Sequence, residues 1–571
     1  MRLHLCRSIY TGLLCILLTL AGATGAGSPA FGGTARTVGA AQQLTPDGQA
    51  ELGEIVRQGK LPDLNWPDFP NYRAKVAEFY DFFGNTLAWI RGGEPTPQAR
   101  AIIKLLENAE SKGLRPDDYD GRRWEGRLAE FAPSASSSES DRVHFDVTLT
   151  ISTMRYISDL HFGRVNPGLF HFEFDIGPGK IDLSQFLEQR VVNAPDVNAA
   201  MDTVDPPFPT YRRTLAALST YLEIARKDDG QPLPIPRKPV GPGDLYAGVP
   251  RLFRLLSLLG DISENEKAPV SETTYGAALI DAVKHFQERH GLLPDGRLGV
   301  RTLSAMNTPL SRRVTQLELT LERWRWMPHQ FRVPPIVVNI PEFRLRAVDE
   351  NYRWALSMGV VVGRAYHHKT PVFASTIRSV TFRPYWTVPV EIGKEELVPL
   401  FEKDPAYLVQ HSYEVVDSRG NVVTDSTISA DVMDQLRAGK LSVRQRPGPD
   451  NALGLVRFDF PNPYAVYMHG TPATELFSRS RRDFSHGCIR VEDPVALAEW
   501  VLRGNPEWAP DKIRAAMDGS ETIAVKVASP IPVLIVYGTA VVMENGDVHF
   551  FDDIYGYDAE LERALASHHP G

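Results

Sequence analysis

The chain has 571 residues, is 43% hydrophobic and carries a formal charge of -8. That is enough apolar material for three or more buried cores, at about 100–200 residues per domain. It offers no basic stripe, and no Gly-rich phosphate loop or dinucleotide fingerprint is present, so nucleic acid is not expected as a partner.

The N-terminus has Arg2 and Arg7, an apolar run from Ile9 to Leu20, then Ala21-Gly-Ala-Thr-Gly-Ala26. These are the parts of a secretory signal, predicted over residues 1–26 with cleavage after Ala23 or Ala26, and they imply export. The apolar run is short for a bilayer span of about 20 residues. An uncleaved inner-membrane anchor is the alternative. Residues 27–44, rich in Gly, Ala, Ser and Thr, read as a flexible leader. Cleavage would remove Cys6 and Cys15 and leave Cys488 with no partner for a disulfide within its own chain.

Residues 45–249 read as a helical scaffold. Thr96-Pro97 caps an amphipathic helix reaching Leu106, and further helices are predicted over 146–160, 182–190 and 211–226. Residues 250–310 read as three helices, over 251–259, 275–290 and 300–306. Gly291 caps the middle one and Asp295-Gly296 makes a turn. A connector helix lies within 311–333, and Pro328, Pro334 and Pro335 end it.

From 334 to 530 the pattern turns to strands, at 336–340, 343–348, 352–362, 379–382, 455–460 and 465–468. Short strands without alternating helices indicate an antiparallel or mixed β domain. Between about 394 and 446 the pattern lapses into helices at 394–401 and 429–438, marking an insertion. A helix over 494–502 and a strand over 521–528 follow. Residues 531–571 read as a strand over 533–537, a hairpin turning at Asn545-Gly546 and a helix over 558–566. The fold class is therefore α+β and multidomain.

The chemistry concentrates in Tyr467-Met-His-Gly-Thr-Pro472 and Asp483-Phe-Ser-His-Gly-Cys-Ile-Arg-Val-Glu-Asp493. A lone cysteine is most often a small buried apolar residue. Cys488, however, sits among Ser485, His486 and Gly487, a polar and flexible setting. A free thiol has a pKa of roughly 8.5, so a nucleophilic cysteine needs a base, and His469 and His486 both qualify. The same three residues could ligate zinc, but no second cysteine or HExxH pattern supports a metal, and no cofactor is expected. Gly487 would let backbone amides approach a substrate carbonyl, as an oxyanion hole requires.

His469-Gly470 lies sixteen positions before Ser485-His-Gly-Cys-Ile-Arg490, and this spacing resembles the signature of the L,D-transpeptidase catalytic domain. Val283-Lys-His-Phe-Gln287 with Gly291-Leu, Asp295-Gly, Gly299 and Thr302-Leu is similar to a small peptidoglycan-binding domain. Together with the helical scaffold, the chain resembles the long multidomain L,D-transpeptidases of Gram-negative bacteria. The resemblance implies a β-sandwich-like catalytic fold, a helical lid over the site at about 394–446, and a periplasmic enzyme. It assigns Cys488 as nucleophile and His469 as proton donor and acceptor. The Gly470 carbonyl would orient His469, the Gly487 amide would hold the oxyanion, His486 would shape that pocket, and Ser485 would hydrogen-bond within the turn. Arg490, where many relatives carry Asn, is a candidate for a substrate carboxylate. Tyr385 and Trp386 are candidate aromatic contacts.

The implied reaction joins peptidoglycan stem peptides, a tetrapeptide donor and a diamino-acid acceptor, into 3→3 cross-links through a cysteine thioester. Wall-synthesis proteins are candidate partners, and carbapenems candidate inhibitors. A Cys/His carboxypeptidase or amidase, and an idle wall-binding scaffold, remain as alternatives.

Overall fold

The computed structural model describes residues 43–132, 137–174, 181–263, 265 and 273–570. The predicted signal sequence, Cys6, Cys15 and nearly all of the predicted leader lie outside the described residues. Among those residues, no helix is long and apolar enough to cross a membrane.

The first core gathers residues from Leu44 to Val204, including Trp89, Ile102, Trp124 and Leu149. Its central helix, Glu139–Phe162, starts before the predicted 146 because Ser138 and Asp141 form a reciprocal capping box. The predicted helix over 182–190 is Leu183–Phe186 continued by a π-helical turn over Leu187–Val191. A second, smaller core spans Leu233 to Met306 and is built on helices Val249–Leu258, Ala277–Arg289 and Val300–Met306.

Nine strands form the sheet that carries the motif: β1 (Ile336–Asn339), β2 (Arg344–Val348), β3 (Trp354–Gly363), β4 (Phe373–Phe382), β5 (Val456–Asp459), β6 (Met468–His469), β7 (Asp483–Ser485), β8 (Ile489–Val491) and β9 (Ile523–Val536). Their hydrogen-bonded order is β7-β3-β8-β6-β5-β4-β9-β1-β2, and β2 also pairs with β3, so the sheet closes on itself. Val338, Leu345, Val360, Val380, Met468, Ile489 and Ile535 are among the residues filling its core. Closure leaves few unpaired backbone groups near the motif, and this holds its strands in fixed register.

Two sequence expectations need correction. The boundary at 530/531 falls inside β9: a register irregularity between Lys526 and Ile531 makes one strand read as two. The expected connector helix spans Leu310–Arg325, and its Leu317 and Leu321 join the same core as the sheet, together with Tyr211 and Leu218 of helix Pro209–Lys227.

The insertion is also not purely helical. Trp386–Thr387, Tyr413–Val416, Val422–Thr424 and Ser442–Gln445 make a four-stranded sheet. Each strand is too short to show alternation, so the longer helical stretches dominate the pattern. The insertion has its own core, including Val388, Phe401, Leu408, Val415 and Val443.

Candidate active site

Strand alternation explains how the motif assembles. β6 and β8 run parallel, with Met468 opposite Ile489 and His469 opposite Arg490. Met468 and Ile489 point into the core and are fully buried. Their neighbours Tyr467, His469, Cys488 and Arg490 therefore share the other face. Side by side, Tyr467 meets Cys488 and His469 meets Arg490. His469 and Cys488 are diagonal neighbours, at a backbone separation of roughly 7–8 Å that an imidazole and a thiol can bridge. Two short segments far apart in sequence thus form a two-by-two grid.

The His469 ring is 4% exposed, and its Nδ1 lies 2.5 Å from the carbonyl oxygen of Gly470. A carbonyl only accepts, so Nδ1 carries the proton and Nε2 presents a lone pair. Burial, reinforced by the Arg490 charge, pulls the His469 pKa down to about 3, with the Gly470 hydrogen bond opposing. The ring is neutral at physiological pH. Gly454 packs beneath Gly470: a β-carbon on it would lie 2.7 Å from the Gly470 carbonyl carbon and the Thr471 nitrogen, and its φ is +63°, in the left-handed region.

Cys488 is partly buried, and its Sγ donates to the Ala465 carbonyl at 3.9 Å. Burial raises the thiol pKa, and hydrogen bonds from Tyr467 lower it. The Tyr467 phenol is itself raised, by burial and then by Cys488, while a hydrogen bond from Trp386 works the other way. Among the described residues, no hydrogen bond joins Cys488 Sγ to either histidine. The resting thiol is thus protonated and donates to Ala465 rather than to a histidine.

The turn between β7 and β8 is pinned from several sides. Ser485 Oγ donates to the Cys488 carbonyl at 2.5 Å and accepts from the Gly487 amide at 3.2 Å. Gly487 has φ +116°, in a region L side chains rarely adopt. Its carbonyl accepts from Thr370 Oγ1 at 2.8 Å, and Thr370 Oγ1 accepts from the Gly363 amide at 2.8 Å. Tyr555, from the C-terminal segment, donates to the Gly363 carbonyl at 2.6 Å. The expected oxyanion amide of Gly487 is therefore already engaged, and an oxyanion would have to displace Ser485 from it.

His486 does not turn toward the sulfur. Its Nε2 meets Glu396 Oε1 of the insertion at 2.7 Å, and its ring packs edge-on to His368 at 4.7 Å. The Arg490 guanidinium makes no ion pair among the described residues, its Nε is buried without a partner, and burial lowers its pKa. Arg457 stacks over Tyr467 at 5.4 Å and pairs with Asp459 at 2.7 Å. Tyr385 stacks with Arg444 of the insertion at 4.5 Å, and Trp386 sits in the insertion's sheet opposite Gln445. No group of three His, Cys, Asp or Glu side chains among the described residues could hold a metal.

Sequence reasoning missed Glu396, Thr370, Gly454 and Tyr555, since only the fold brings them to the motif. Tyr467 was within reach of it. Its place two residues before His469 puts it on the same strand face.

A neutral, buried imidazole diagonal to a lone thiol defines a Cys/His arrangement suited to acyl transfer. Three family models match the chain. Residues 335–514 match the L,D-transpeptidase catalytic domain, residues 249–306 a "Putative peptidoglycan binding domain", and residues 74–218 a "Scaffold domain". The chain carries all three. A protein of Haemophilus influenzae described as "Putative L,D-transpeptidase" is 34% identical over 229 residues, 40% of this chain and 45% of that protein. The matched region thus spans about half the length of this curated relative. A crystal structure of an L,D-transpeptidase (Yku) from Stackebrandtia nassauensis aligns at a TM-score of 0.20 and 12% identity, covering 52% of this chain and 94% of that one, too distant to inform the site.

Proposed function

We propose that the protein is an exported, periplasmic peptidoglycan L,D-transpeptidase that forms 3→3 cross-links through a thioester on Cys488. The observation carrying this is the grid of Tyr467, His469, Cys488 and Arg490, in which Gly470 fixes the His469 tautomer that leaves Nε2 basic. The same reading keeps the division into scaffold, peptidoglycan-binding and sandwich-like catalytic units, with the insertion as lid.

In the first half-reaction Cys488 turns about χ1 from Ala465 toward His469 and gives its proton to Nε2. Sγ then attacks the donor carbonyl. The Cys488 amide holds the oxyanion, and the Gly487 amide joins once Ser485 releases it. Collapse breaks the bond to D-alanine, whose amine takes the proton from His469, leaving a thioester. In the second, His469 Nε2 takes a proton from the acceptor's diamino-acid amine as it attacks the thioester carbonyl. The sulfur leaves as thiolate and recovers that proton. A carboxylate keeping the imidazole in place is unnecessary, because the Gly470 carbonyl does so. Arg490, without a carboxylate partner, receives a substrate carboxylate. The lid would keep water from the thioester.

Incubation with purified tetrapeptide muropeptides is the test. Dimers lacking one D-alanine are expected. Tripeptide monomers alone would instead establish the carboxypeptidase, and a Cys488 that forms no adduct with a carbapenem by mass spectrometry would establish the idle scaffold.

A further inference from the structure

Away from Cys488, a cleft of about 760 Å³ lies between the peptidoglycan-binding unit and the catalytic sheet. One wall is the loop after helix Ala277–Arg289, which presents Leu293 at 69% exposure. The other is Arg344 and the segment 478–482, which runs directly into β7 and the Ser485–Cys488 turn.

Four arginines lining this cleft make no ion pair among the described residues; Arg482 is held by backbone carbonyls, which leaves Arg301, Arg344 and Arg479. Arg301 donates to Ser480 Oγ at 3.3 Å, joining the two walls. Arg344 donates to Ser357 Oγ at 3.3 Å, and Arg479 stacks over Phe484 at 5.3 Å. Of the carboxylates lining the cleft, Glu342 is held by Arg346 at 2.6 Å and Glu544 accepts from the Trp354 amide at 3.1 Å. Glu288 and Asp552 remain against these three arginines and the backbone-held Arg482.

We propose that this cleft binds the acidic stem peptides of an uncross-linked wall strand, with Arg301, Arg344 and Arg479 each taking a carboxylate. An arginine fork matches a carboxylate bidentately, and the hydroxyls now holding Arg301 and Arg344 are weak neutral acceptors that a carboxylate replaces. A strand held here touches both the binding unit and the chain entering the active site, so the enzyme prefers polymer to free muropeptide. The proposal rests on the wall-polymer reading above.

The test uses full-length protein with Cys488→Ala, so binding is read without turnover. Fluorescence anisotropy is measured with soluble strands bearing tetrapeptides and with the same strands after an amidase has removed the peptides. Replacing Arg301, Arg344 and Arg479 together by Gln should weaken binding of peptide-bearing strands tenfold or more and flatten its salt dependence. Arg479→Gln alone should show a smaller loss that Arg479→Lys partly restores, which keeps the test valid if the triple variant misfolds. Unchanged affinity in the Gln variants, or equal binding of stripped strands, would overturn the proposal. In active protein the triple variant should keep its carbapenem acylation rate and its kcat on monomers while its KM for strands rises. Loss of turnover on monomers in the wild type would instead count against the catalytic reading, leaving the binding result standing.

Discussion

The strands carrying His469 and Cys488 and the insertion above them are held in different ways. The strands belong to a sheet closed on itself whose core continues into helices Pro209–Lys227 and Leu310–Arg325. The insertion has a separate core and its own four-stranded sheet, and it reaches the motif through His486 and Glu396. The candidate reacting groups thus sit where register is fixed, beside a separately packed unit that is the proposed lid. The two histidines follow the same division: His469 is buried and neutral, and His486 faces the insertion.

Breaking the rigid side should have the largest effect. His469→Asn should lower transpeptidation by about 10³-fold or more, the scale for a lost general base, as measured by dimer formation from muropeptides. Its pH behaviour sharpens the point. Because burial holds the thiol up and the imidazole down, no thiolate–imidazolium pair forms at rest. Alkylation of wild-type Cys488 should rise beyond pH 9 with no step between 4 and 7, and a step there would refute a neutral resting pair. The stability consequence has a definite sign. With a folded pKa of about 3 against an ordinary 6.5, the unfolded chain binds more protons between those values, so His469 leaves stability unaffected above pH 6.5 and lowers it progressively toward pH 3. His469→Asn should flatten that part of the urea-denaturation profile.

Gly454→Ala tests whether the backbone beneath Gly470 is as immobile as the comparison requires. The added carbon would sit 2.7 Å from backbone atoms, and Gly454 already has φ +63°, so Gly470 must shift and carry its carbonyl away from His469. A displacement near 1 Å costs about 100-fold in rate. The expected outcome is a kcat loss of that order with the circular-dichroism spectrum retained. Normal kcat would show that His469 is oriented by something other than the Gly470 carbonyl.

What the sequence reveals follows from the same contrast. His469, Gly470 and the Ser485–Cys488 turn are legible because their chemistry depends on residues at fixed offsets along two short segments. Strand parity then places Tyr467 and Arg490 on their face. Glu396 is not legible, since it stands 90 positions from His486 and only the path of the insertion brings it near. Thr370 and Tyr555 are hidden for the same reason. The insertion's sheet escapes notice because its strands are two to four residues long, below the length at which alternation can be seen.

The smallest effect should come from the contact between the two regions. Glu396 is 46% exposed at its side chain and His486 23%, so their contact is screened by solvent and worth about 0–1 kcal/mol. Glu396→Gln keeps the shape and removes the charge. If the contact closes the insertion over the site, the variant should acylate with a carbapenem at a rate within about fivefold of wild type yet hydrolyse a larger share of its thioester, because a looser cover admits water. The ratio of tripeptide monomer to dimer reads this directly. A rise in that ratio without a matching fall in acylation assigns the insertion to water exclusion, whereas an unchanged ratio with slower acylation assigns it to donor binding.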